Sequence, residues 1–241
     1  TYNAVTGRLS LRPPQAESLL RLKQALTAAP GMLEHDDRDV ASILATLKAE
    51  FATLEDFERE FPSLCFALAT GVGKTRLMGA FIAYLQLAHG INNFFVLAPN
   101  LTIYDKLIAD FTPNTPKYVF KGIGEFAINA PRVITGDNYD QQNIIGGELF
   151  GEVRINIFNI SKINSEVRGG KEPRIKRMRE VLGDSYFNHL ANLDDLVLLM
   201  DESHRYRAQA GMRAINELKP LFGLELTATP FVEANPRPIP F

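Results

Sequence analysis

One cysteine, Cys65, is present among 241 residues. No intrachain disulfide can form, which fits a reducing interior. A lone cysteine in the apolar segment "SLCFALAT" is expected to be a small buried core residue. Neither sign of charge is in excess: 26 Lys and Arg stand against 28 Asp and Glu, a net charge of −2. A partner such as nucleic acid would therefore have to meet a local basic patch, because the whole-chain field does not favour it. No apolar run reaches the ~18–20 residues that a bilayer span needs. The opening residues, "TYNAVTGRLSLRPPQ", lack the apolar core of a signal peptide. A cytoplasmic protein with no membrane contact is the expectation. Internal repeats and low-complexity tracts are absent too.

What is there is a succession of short apolar segments and helical ones. Helical spacing marks residues 15–29, after Pro13–Pro14, and 37–60, the latter as one helix or two segments. Further helices are expected over 74–90, 101–111, within 173–193 and over 211–219. Gly90 is placed to cap the 74–90 helix. Strands are expected over 63–70, 92–99, 117–120, 131–137, 153–160, 196–201 and 221–229. Apolar strands alternating with helices indicate an α/β fold whose mostly parallel sheet is covered on both faces.

"LATGVGKTR" (68–76) lies between a strand and a helix, the context a phosphate-binding loop requires. Gly71 and Gly73 allow consecutive N–H groups to face one concavity. The N-terminus of the following helix adds partial positive charge. Lys74 can neutralise β- and γ-phosphates, and the Thr75 hydroxyl can ligate Mg²⁺. The pattern G-x-x-x-x-G-K-[ST] departs at one place: Leu68 stands where the first glycine is asked for.

"DDLVLLMDESHRYRA" (194–208) runs from an apolar strand into Asp201, Glu202, Ser203 and His204. The end of a strand reaching water would look the same, and a His–Glu zinc site is a weaker alternative. His35, His89 and His189 show no ligand spacing with His204. With a phosphate loop in the chain, a further reading opens. In a parallel sheet, loop and strand tip share the carboxyl edge, where ligands bind. Asp201 would then orient Mg²⁺ and Glu202 would polarise the attacking water.

"ATGVGKT", "DESH" and "TATP" (227–230), in this order, resemble motifs I, II and III of superfamily 2 helicases and translocases. "VLAPNLTIYDKL" (96–107) is similar to motif Ia, and "LRPPQAESL" (11–19) to the upstream adenine-recognition segment. Together with "INIFNISKIN" (155–164), the chain looks most similar to the restriction (helicase) subunit of type III restriction–modification enzymes. The resemblance covers about residues 11–232 and implies a RecA-like phosphate-loop domain. In such helicases the first loop glycine is often replaced, which accounts for Leu68.

The resemblance also assigns roles. Gln15 would read the adenine edge, with Arg12 nearby and Tyr2 a candidate to stack on the base. Thr70, Gly71, Val72, Gly73, Lys74, Thr75 and Arg76 would hold ATP, and Thr75 with Asp201 would hold Mg²⁺. His204 would couple this site to Thr227 and Thr229. Asn100, Lys106, Ser161 and Lys162 are the expected nucleic-acid contacts. The basic run "KEPRIKRMR" (171–179), with Lys171, Arg174 and Arg177, could meet phosphates or be a solvated face. Residues 1–232 are expected to be the first motor domain, with a helical insertion about 31–62. Residues 233–241, with Pro236, Pro238 and Pro240, read as a linker stub towards a second RecA-like domain of the same polypeptide. Without that half, slow hydrolysis is expected. Double-stranded DNA and a modification (methyltransferase) subunit are the implied partners. Two other readings stay open: an unrelated phosphate-loop ATPase, and a nucleotide- or nucleic-acid-binding module without turnover.

Overall fold

The computed structural model describes residues 1–136, 138, 151–159, 184–202 and 215–228. Among the described residues, six strands form one sheet: β1 (Ser63–Ala67), β2 (Asn93–Ala98), β3 (Arg132–Thr135), β4 (Arg154–Asn159), β5 (Leu196–Asp201) and β6 (Phe222–Thr227). Their order is β1-β6-β5-β2-β4-β3, and every pairing is parallel. The helices are α1 (Tyr2–Arg8), α2 (Pro13–Ala28), α3 (Val40–Glu50), α4 (Lys74–His89), α5 (Leu101–Phe111), α6 (Gly124–Ile128) and α7 (Asp184–Ala191). This is the parallel α/β fold expected of a RecA-like domain.

The strand sequences show why both faces are covered. On β2, Phe94, Val96 and Ala98 point into one core with α1 to α5, while Phe95 and Leu97 point into the other. On β5, Val197 and Leu199 join the first core, and Leu196, Leu198 and Met200 the second. The second core is closed by Tyr186, Phe187 and Leu190 of α7 and by Ile215 and Leu218. Continuous apolar runs such as "LVLLM" are what a strand buried on both faces demands.

Several expectations are corrected here. The 37–60 helix stops at Glu50, because Phe51 turns extended (φ −122°) and Glu58 has a positive φ. Tertiary contacts decide the segment instead. Phe57 and Phe61 are buried, and Arg59 pairs with Glu225 in the interior. "KYVF" (117–120) is a turn, not a strand. The Val119 N–H goes to the Asp110 carbonyl, and Phe120 packs on Phe111 and Phe126. Cys65 is exposed, not buried, and β1 lies at the edge of the sheet among the described residues. The segment 211–219 enters the described residues only at its end, helical at 215–216. Helices α1 and α6 have no counterpart among the expected elements. None of the described helices is long and apolar enough to cross a membrane.

Candidate functional site

The strand order sets the site. β6 lies between β1, which leads into the glycine loop, and β5, which ends at Asp201. Its last two residues extend both ladders by one hydrogen bond each. Leu68 N–H donates to the Thr227 carbonyl at 2.8 Å, and Glu202 N–H donates to the Leu226 carbonyl at 2.7 Å. The tip of β6 therefore spaces the loop from the acids by two strand widths, about 10 Å. A lysine side chain spans that gap.

Lys74, the first residue of α4, does so. Its ammonium hydrogen-bonds Glu202 Oε1 and stands 3.7 Å from Asp201 Oδ1. Asp201 is 6% exposed, and its Oδ1 accepts no hydrogen bond among the described residues. Burial pushes its carboxyl above the usual range, Lys74 opposes this, and the Glu202 charge adds to it. Glu202 holds φ +52°, a left-handed conformation uncommon outside glycine. Gly71 (φ +84°) and Gly73 (φ +91°) bend the loop as the pattern anticipates.

Gln15 was expected at the adenine edge. The structure turns it onto the loop. It is 1% exposed; its Nε2 donates to the carbonyls of Val72 and Gly73, both at 2.9 Å, and its Oε1 accepts from Arg12 N–H at 2.9 Å. Arg12 Nη1 reaches the Gly71 carbonyl at 3.4 Å. Arg76 Nη1 donates to the Leu9 carbonyl at 2.7 Å, tying the loop's far end to α1. A cleft of about 330 Å³ opens between Ser10, Arg12, Gln15, the loop and Arg76. Tyr2 does not line it: its hydroxyl donates to Ala16 and its ring lies under Lys23.

Two of the expected nucleic-acid contacts have partners within the chain. Lys106 donates to Thr75 Oγ1 at 2.7 Å and pairs with Asp110 at 2.6 Å. The spacing of Lys106 and Asp110, one helical turn apart, was visible in the sequence; the reach to Thr75 was not. Asn100 caps α5, its Oδ1 accepting from Ile103 N–H at 2.9 Å. Thr227 is fully buried at the end of β6, and Thr70 and Val72 lie in the loop. His204, Thr229, Ser161, Lys162 and the basic run 171–179 fall outside the described residues, as does the stub 233–241. Among the described residues no group of three or more His, Cys, Asp or Glu could hold a metal ion by itself.

The donor set fits a nucleotide phosphate with its cation. The Asp201 Oδ1, which accepts no hydrogen bond among the described residues, and the Thr75 hydroxyl would face the cation, and Lys74 with the loop N–H groups would face the anion.

A family model described as "Type III restriction enzyme, res subunit" matches residues 8–232. No curated protein matches the chain. Among solved structures, the chain is similar to a nuclease-deletion mutant of the Type ISP restriction-modification enzyme LlaGI in complex with a DNA substrate mimic. The identity is 14% and the TM-score 0.41, over 81% of this chain and 18% of that one. The chain thus spans under a fifth of that enzyme's length.

Proposed function

Given that the chain belongs to the family of the type III restriction enzyme res subunit, we propose that it is the ATP-binding motor domain of a DNA helicase or translocase within a restriction enzyme. The carrying observation is Lys74, which bridges from the phosphate loop to Glu202 and Asp201 at the sheet's carboxyl edge. An ammonium held between two acids is positioned to transfer its charge to incoming phosphates. Glu202 is then released to accept a proton from water, within reach of the loop. Asp201 and Thr75 would hold Mg²⁺, whose chemistry is to neutralise phosphate charge. The loop N–H groups, facing one way through Gly71 and Gly73, supply fixed dipoles that need no reorganisation. Gln15 acts through the loop carbonyls, and Arg12 takes the nucleobase side of the 330 Å³ cleft.

On this reading residues 1–232 form one motor domain of a cytoplasmic enzyme. It works with a second RecA-like domain, on double-stranded DNA, beside a modification subunit. His204 and Thr229 would connect the acids to β6 through Thr227. The test is nucleotide binding by the chain and by Lys74→Ala. Loss of a charge-assisted bond worth ~1.5–3 kcal/mol weakens ATP affinity at least about tenfold. Equal affinities would remove the basis of the proposal.

A further inference from the structure

We propose that Lys106 is a positioning residue that competes with the divalent cation for the Thr75 hydroxyl, so that loading of the metal–nucleotide site and release of Lys106 from Thr75 are one event. The inference rests on the phosphate-loop reading of Thr75 and Asp201 given above.

Three observations carry it. First, the ammonium of Lys106 sits 2.7 Å from Thr75 Oγ1, the oxygen a cation would need. Second, it is held there by Asp110, whose carboxylate is 2.6 Å away on the same helix and whose residue is 5% exposed. Third, the adjoining cleft of about 520 Å³ is lined by Arg8, Arg76, Lys117 and Lys121, and Asp110 is the sole acid among its lining residues. An ammonium that leaves Thr75 therefore has one acid to stay with, and cationic neighbours otherwise.

The electrostatics follow. A hydroxyl oxygen that accepts from an ammonium cannot also face a dication without bringing like charges within about 4 Å. Lys106 thus opposes cation entry at the Thr75 hydroxyl, and Asp110 sets how firmly. Because α5 starts at Leu101, capped by Asn100 just past the end of β2, this opposition is mounted on the helix within the segment resembling motif Ia. A shift of α5 would alter cation affinity without touching the loop.

The experiment is a Mg²⁺ titration of fluorescent ADP binding to the 241-residue chain, with excess EDTA as the zero point. In K106M the Mg²⁺ concentration for half-saturation is expected to fall at least about fivefold, the factor one unit-charge repulsion at ~4 Å gives in water-like surroundings. K106R, which keeps the charge and the Asp110 pair, should retain the wild-type midpoint. Should K106M fail to fold with Asp110 stranded, the charge-neutral double variant K106M/D110N is read the same way. An unmoved or raised midpoint in a folded variant overturns the inference alone. Failure of the wild-type chain to bind nucleotide at any Mg²⁺ overturns the phosphate-loop reading and this inference with it.

Discussion

The Gln15 side-chain amide packs directly on the Gly73 backbone. The Gln15 amide donates to the Gly73 carbonyl at 2.9 Å, and a Cβ at position 73 would lie 2.8 Å from that same amide nitrogen. Glycine is therefore required at 73 on two counts, its φ of +91° and the space Gln15 takes. Gly73→Ala should cost about 1–2 kcal/mol from conformation alone, and more from the collision. In a double-mutant cycle with Gln15→Ala, the collision part should vanish while the conformational part persists. Urea denaturation of the four proteins reads this, and strict additivity would contradict it.

Glu202 carries strain that can be separated from its charge. Glu202→Gln keeps the left-handed backbone (φ +52°) and removes the charge. Glu202→Gly removes both. We expect the glycine variant to be the more stable by about 0.5–1 kcal/mol, the left-handed penalty less the entropy of glycine. ATP turnover should be lost in both. A glycine variant that melts below the glutamine one would show that position 202 is unstrained.

Arg59 and Glu225 form a buried pair 3.1 Å apart, with side chains 0% and 4% exposed, and Ser63 Oγ donates to the same carboxylate at 2.8 Å. Breaking it from one side by Arg59→Met should cost about 3–5 kcal/mol, because the Glu225 charge is left uncompensated. Arg59→Met with Glu225→Met should recover most of that loss. Chemical denaturation gives both values, and a double variant no better than the single one would refute the account.

Cys65 on the edge strand is exposed. It should therefore react with a thiol reagent in the folded chain at a rate near that in denaturant. Cys65→Ser should stay within about 0.5 kcal/mol of wild type. Protection of the thiol until the chain unfolds would place β1 elsewhere than at the sheet edge.

Such positions also show what a sequence can and cannot disclose. β2 and β5 were legible because a strand buried on both faces needs an unbroken apolar run, and α4 because glycines flank it on both sides. The glycine loop and the acids were legible as types, since their chemistry needs those residues in that order. The same apolar logic failed for Cys65: "SLCFA" reads as buried, but strand order decides which strand lies at the edge. Residues 51–60 read as helix from composition, yet Arg59 is drawn to an acid 166 positions away on β6. Gln15 and Lys106 were recognised as site residues by motif, but the motif could not say which way their side chains turn. Nothing in the sequence marks the ends of α1, which the Arg76 bond to Leu9 helps to fix.

The glycine loop is fastened to the rest of the molecule at several backbone positions. Leu68 is held by Thr227, Val72 and Gly73 by Gln15, and Gly71 by Arg12, while Arg76 anchors the helix just beyond. A glycine-rich segment would otherwise be the most entropically costly part of the chain to order. Here that ordering is completed during folding, so on the proposed reading an anion entering the loop would meet donors already in place and spend little of its binding free energy on rigidifying them. Each fastening removed should therefore appear first as weaker anion binding with a larger entropic cost, readable by calorimetry, before it appears as a loss of fold.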